Sequence, residues 1–148
     1  MSDPALRPLP LNPIAVRLGH LSLLPFVLGV LLAWLVRADV HAYVVDGLSK
    51  YAALIVAMLG GIHWGLGMRQ TVPSPAPFIW GTVAVTGAWV GAIMQAYAGL
   101  VVLGVMLIAC YVWDRRHYPG LGAGAWLTLR FRLSAVAALC CFLGAAAT

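Results

Sequence analysis

The sequence predicts an all-α integral membrane bundle of five transmembrane helices, with the N-terminus cytoplasmic and the C-terminus outside. Three observations carry this. Charged residues make up 9% of the chain and hydrophobic ones 63%, whereas a soluble domain needs about a quarter of its residues charged. The mean hydropathy is +0.96. The apolar residues also fall into runs of the length a bilayer requires, roughly 20 helical residues for a core of about 30 Å.

Residues 1–13 read as an N-terminal cytoplasmic segment and 14–148 as a single membrane domain. The first helix is expected over 14–36. Arg7 and Arg17 before it imitate a signal peptide, but the run from Leu18 to Val36 is longer than a signal core of about 7–15 residues, and no small-x-small cleavage site follows. Pro25, within LSLLPF, removes a helical hydrogen bond and kinks the span. RADVHAYVVDGLSK, with Arg37, Asp39, Asp46 and Lys50, reads as a polar loop.

The second helix is expected over 51–68, stopped by the proline-rich RQTVPSPAP. No charge occurs from Phe78 to Trp113. One helix of that length would extend about 54 Å, too far for a single span. It is therefore divided at Gln95 and Gly99 into helices over 78–95 and 99–113. The glycine-rich DRRHYPGLGAGA leads to a fifth helix over 126–145.

Five spans separate the basic residues unequally. Arg7, Arg17, Arg69, Arg115, Arg116, Arg130 and Arg132 fall on the side of the N-terminus, and only Arg37 and Lys50 on the other. Retention of basic residues on the cytoplasmic side sets the N-terminus inside, in the bacterial inner membrane. The net charge of +5 thus belongs to topology and lipid headgroups, and nucleic acid is not an expected partner. Cys110, Cys140 and Cys141 all sit in apolar runs, without the spacing of a zinc site. No internal repeat points to an inverted-repeat transporter.

Helices in lipid associate by close packing, which small residues permit. Gly61 with Gly65 and Gly87 with Gly91 form GxxxG pairs. On a helical wheel Gly60, His63 and Gly67 share one face, Gly61, Gly65 and Met68 a neighbouring one, and Trp64 lies between. All six glycines are expected at helix contacts.

The ionisable residues of the spans gather at similar depth near the cytoplasmic side: Arg17 and His20 in the first helix, His63 in the second, Asp114 closing the fourth, and Arg130 and Arg132 opening the fifth. Such residues face the bundle interior and find partners. Asp114 is expected to pair with Arg130 or Arg132, and His63 to bond with Asp114 or another neighbour. Together with Trp64 these form the candidate ligand or polar cluster. Hydrolysis or group transfer needs a nucleophile or paired acids, and Asp114 is the only acid there, so no catalytic residue and no metal site is assigned. Two function classes stay open. One is a non-enzymatic structural, assembly or partner-binding protein, the partner being another membrane protein or a second copy. The other is a lipid-, quinone- or haem-binding module around His63, the haem reading resting on His20 and His63 as axial ligands.

The order of LSLLPF, YAALIVAMLGGIHWGLGM, Trp89, DRR and AWLTLRFRLS resembles the transmembrane protein 69-like family, also called domain of unknown function 3429. The likeness runs from about Leu18 to Leu143, and GGIHWG is its most specific part. The resemblance implies a small multi-helix membrane domain of bacteria, with relatives in mitochondria. It directs attention to Gly60, Gly61, His63, Trp64, Gly65, Asp114 and Arg130, and it supplies no reaction. The chain departs from the family pattern at PGLGAGAW.

Overall fold

The computed structural model describes residues 6–148, so positions 1–5 of the N-terminal segment lie outside the described residues. Six α-helices follow one another: α1 (Pro13–Leu21), α2 (Leu24–Leu35), α3 (Ala38–Met68), α4 (Ala76–Ile93), α5 (Ala96–His117) and α6 (Leu127–Ala146). Two short 3-10 turns, Pro119–Leu121 and Gly124–Trp126, bridge α5 and α6. There is no strand among the described residues. Among the described residues, five segments are long and apolar enough to cross a membrane: Pro13–Leu35, Ala38–Met68, Ala76–Ile93, Ala96–His117 and Gly124–Ala146.

The first span breaks rather than kinks, and it does so before Pro25. A proline ring clashes with the carbonyl of the residue four positions back, here Leu21, where α1 ends. Ser22 and Leu23 form the joint. The Ser22 hydroxyl donates to the Gly19 carbonyl at 2.6 Å, and the carbonyl of Ser22 accepts from the Tyr51 hydroxyl at 2.8 Å.

The expected loop over residues 37–50 is helix. The α3 helix begins at Ala38 and runs for 31 residues, about 46 Å at the usual rise, longer than a bilayer core is thick. The charges in that stretch are compatible with helix: Asp39 sits in the first turn, and Lys50 pairs with Asp46 one turn back at 2.5 Å. Its apolar residues decide the matter. Val45, Leu48, Ala52, Val56 and Leu59 are all buried, a single stripe at helical spacing. Leu48 packs into the notches left by Gly29 of α2 and Gly144 of α6.

The division of the long uncharged stretch falls where Gln95 stands. The α4 helix ends at Ile93, Met94 caps it, and Gln95 is the N-cap of α5. The turn is close enough that a Cβ on Gly99 would collide with the carbonyl oxygen of Gly91.

The α3 helix is central, packed against α2, α4, α5 and α6. First and last spans meet, the Trp34 indole N–H donating to the Leu143 carbonyl at 3.2 Å. Gly60 and Gly67 face α4, while Gly87 lies on Met106 and Gly91 on Leu103. Gly61 and Gly65 are different. Both are exposed, nothing lies within 4 Å of where their side chains would be, and their expected contact does not occur within the chain. The reason is register: the buried stripe of α3 passes through Gly60, His63 and Gly67 and leaves the neighbouring face outward. Trp89, 61% exposed, also faces outward.

Candidate functional site: a buried His–Asp–Arg cluster beside an apolar cavity

Each of three helices places one ionisable residue on the face that its adjoining turns bury with mostly apolar ones. On α3, His63 continues Val56, Leu59 and Gly60; on α5, Asp114 continues Leu103, Leu107 and Cys110; on α6, Arg130 precedes Ser134, Ala137 and Cys141. His63 lies shortly before the end of α3, Asp114 shortly before the end of α5, and Arg130 in the first turn of α6. With α6 running opposite to α3 and α5, all three come to one end of the bundle.

They meet on the Asp114 carboxylate. The His63 Nε2–H donates to Oδ1 at 2.6 Å. The Arg130 Nε–H donates to Oδ2 at 2.8 Å. Arg130 Nη2 stands 2.7 Å from that same Oδ2, so guanidinium and carboxylate form a close ion pair. Exposure is 1% for His63, 1% for Asp114 and 7% for Arg130. A charge in such surroundings is tolerable only when paired and hydrogen-bonded, and both carboxylate oxygens are bonded here. One polar atom of the cluster, His63 Nδ1, stays without a hydrogen-bond partner.

Tyr118, one turn beyond Asp114, covers the cluster. Its ring centroid lies 5.6 Å from that of His63, and it is 2% exposed. Burial pushes its hydroxyl well above the ordinary tyrosine range, and the Asp114 charge adds to the shift.

Above Tyr118 the chain builds a cap from residues far apart in sequence. The Leu9 N–H donates to the Gly122 carbonyl at 2.8 Å, the Trp126 indole N–H to the Leu9 carbonyl at 3.2 Å, and Arg69 Nη2 to the Arg7 carbonyl at 2.6 Å. Gly122 has φ of 74°, a left-handed conformation natural to glycine. Between cap and helices lies a cavity of about 260 Å³ lined by Leu9, Ile62, Leu66, Tyr118, Ala123, Trp126 and Arg130. Its wall is apolar apart from what Tyr118, Trp126 and Arg130 offer.

The remaining expected members of the cluster lie elsewhere. Arg132 is exposed; two residues from Arg130 on a helix, it points away from Asp114. Arg17 and His20 are exposed on α1, and His20 Nδ1 bonds its own helix at the Val16 carbonyl, 2.8 Å away. His63 Nε2 is engaged by Asp114 inside the bundle, whereas His20 stands on the exposed face of α1. Trp64 is 44% exposed; it stands against α4, edge-on to Phe78 at 5.2 Å and over Gly81. No group of three or more potential metal ligands occurs among the described residues.

Tyr118, Leu9 and Trp126 are the residues that sequence reasoning missed. The signal for Tyr118 was present, because Cys110, Asp114 and Tyr118 recur every four residues on one face. Nothing local announces the meeting of Leu9 with Trp126, which are 117 positions apart.

Neither curated proteins nor solved structures gave a match to this chain. The profile of a family described as protein of unknown function (DUF3429) matches residues 11–146. That stretch contains all six helices and His63, Asp114 and Arg130, and the chain belongs to this family.

Proposed function

We propose that the protein is a multi-pass protein of the bacterial cytoplasmic membrane, N-terminus inside, that binds one small amphiphile in the cavity beside Arg130. The cavity carries the reading: about 260 Å³ of mainly apolar space with a guanidinium in its wall. Ligand sites are mostly apolar, with few polar groups to fix orientation. An apolar cavity of about 150 Å³ already accommodates a benzene ring. A quinone ring or the upper part of a lipid suits the space. The carboxylate of Asp114 is engaged by two donors, which supports binding rather than turnover. The orientation is supported by the surplus of arginines at the cavity end; with that orientation the cavity would lie in the cytoplasmic leaflet.

The test is native mass spectrometry of protein released in mild, lipid-preserving detergent. A fixed extra mass is expected, lost in Ile62→Trp, which fills the cavity from its exposed side. A wild-type protein that carries no extra mass, and takes up none when amphiphiles are added, overturns the reading.

A second reading, packing against a membrane partner or a second copy, is favoured by the outward Gly61–Gly65 strip next to the half-exposed Trp64. Gly65→Ile would abolish such an association, read as a change in oligomeric mass.

A further inference from the structure

We propose that the cavity takes an acyl chain of an anionic phospholipid, hydrocarbon only, and leaves the headgroup outside among the arginines at that end of the bundle. The inference rests on the cavity-binding reading above. It follows from what the cavity wall withholds.

Three residues of the wall carry polar side-chain atoms, Arg130, Tyr118 and Trp126, and each is engaged elsewhere. Arg130 is paired with Asp114, its Nε and Nη2 standing 2.8 and 2.7 Å from Oδ2. The same guanidinium donates to the Tyr118 hydroxyl. The Trp126 N–H goes to the Leu9 carbonyl at 3.2 Å. Leu9, Ile62, Leu66 and Ala123 complete the wall with apolar side chains. A carbonyl, hydroxyl or phosphate entering this space would give up its partners outside and gain none, which is costly. A hydrocarbon chain has no such partners to lose, and it supplies the packing contacts that an unfilled space forfeits. A dry apolar cavity of about 150 Å³ holds a benzene ring, so about 260 Å³ holds a longer stretch of hydrocarbon.

The opening and the charges indicate which molecule brings the chain. Ile62 lines the cavity and is 36% exposed, next to the outward Gly61 on α3. In a membrane-spanning bundle that side of α3 meets lipid, so a chain can enter from the bilayer. The two ends of the bundle differ in charge. At the far end Arg37 and Lys50 each have a carboxylate close by, Asp39 and Asp46. At the cavity end Asp114 is the only carboxylate among the described residues, and it is buried against Arg130. Arg7, Arg17, Arg115, Arg116 and Arg132 are all exposed there. That surplus of positive charge attracts an anionic headgroup and gives a zwitterionic one no comparable advantage.

The test uses purified full-length protein in an uncharged steroid-based detergent, which brings no alkyl chain to compete. Phosphatidylglycerol and phosphatidylcholine of identical acyl chains are added in turn, with a short-chain para-benzoquinone as the ring-bearing control, and native mass spectrometry reads what is held. One phosphatidylglycerol should bind at least about tenfold more tightly than phosphatidylcholine, and added salt should narrow that gap. Ile62→Trp, which fills the cavity from its exposed side, should abolish retention of both lipids. Ala123→Leu, which fills it from the cap, serves the same purpose if the first variant does not fold, and both leave the Asp114–Arg130 pair in place. Phosphatidylcholine held as tightly as phosphatidylglycerol overturns the anionic assignment. Lipid retention that survives the filled cavity puts the lipid on the surface and overturns the chain's location. Benzoquinone bound more tightly than either lipid overturns the inference and leaves the cavity reading standing. Absence of binding by all three probes, with no native bound mass, overturns the cavity reading itself.

Discussion

A Cβ on Gly60 would stand 2.5 Å from the carbonyl oxygen of Gly81, and one on Gly81 would stand 2.6 Å from the carbonyl oxygen of Gly60. The α3 and α4 helices therefore touch backbone to backbone at this level, and Trp64 closes the contact from the side. Gly60→Val and Gly81→Ala should each force the helices apart and cost about 1–3 kcal/mol. Gly61→Ala and Gly65→Ala, in open space, should stay within about 0.5 kcal/mol of the parent. Thermal unfolding in detergent compares the two pairs. Equal losses at both would mean that the wrong face of α3 has been assigned to the contact.

Removing one partner from the Asp114–Arg130 pair should be severe. Breaking a buried ion pair costs about 3–5 kcal/mol, because the remaining charge is left uncompensated. Asp114→Asn should consequently be much milder in an Arg130→Ala background than alone, with a coupling of about 1–3 kcal/mol. A double-mutant cycle by denaturant or heat reads this directly. Strict additivity would contradict the pair.

Three of the four histidines separate by environment. His63→Ala opens a hole in the core and leaves Asp114 Oδ1 without its donor, so a loss of about 2–4 kcal/mol is expected. His41 is only partly buried and bonds the Ala147 carbonyl at 3.1 Å. His117 bonds the Trp113 carbonyl at 2.9 Å and stacks on the Trp113 ring at 4.0 Å. Alanine at either should cost about 1 kcal/mol. Stability curves that coincide for the three variants would sink the distinction.

Gly122 holds the cap. At φ of 74° a side chain is strained, and a Cβ there would also stand 3.2 Å from the Arg7 carbonyl oxygen. Gly122→Val should loosen the strap over residues 7–9 at a cost of about 1–3 kcal/mol. Hydrogen exchange offers the readout, since the Leu9 amide is bonded to Gly122 and should lose protection first. Unchanged protection at Leu9 would argue against the strap.

Tyr118 gives a pH signature. Burial raises its hydroxyl above the ordinary range in the folded protein, so the neutral form is favoured there. In the unfolded chain a tyrosine ionises near about pH 10. Its contribution is therefore intact below that pH and declines as pH rises beyond it, because only the unfolded state then releases the proton. Tyr118→Phe should flatten the alkaline fall in stability. An alkaline fall identical in parent and variant would rule Tyr118 out as its source.

The membrane fold was legible because its signals are long and redundant. Runs of apolar residues, one glutamine between two spans and a proline-rich stop locate the elements within a few positions. The exception is residues 38–50, where Asp39, Asp46 and Lys50 imitate a loop while Val45 and Leu48 extend the buried stripe of α3. Charge counts alone hide that stripe; periodicity reveals it. The pairing of His63 and Arg130 with Asp114 was legible as chemistry, since three ionisable groups at one depth need one another. The exclusion of Arg17, His20 and Arg132 was not, because rotation of a helix about its axis is set by tertiary packing. The cavity was least legible of all. It arises from contacts between residues 7–9, 62–66 and 118–130, and no local pattern encodes them.

The strap also constrains the order in which the molecule can be assembled. Leu9 docks on Gly122 and Trp126, and Trp34 on Leu143, so segments synthesised early are anchored by segments synthesised late. While the ribosome is still producing the middle spans, Leu9 has no docking place and the first span has no closing neighbour. The cavity beside Arg130 is thus roofed only after α6 has entered the bilayer. A ligand present in the membrane at that moment could be captured as the roof forms, without a gate having to open.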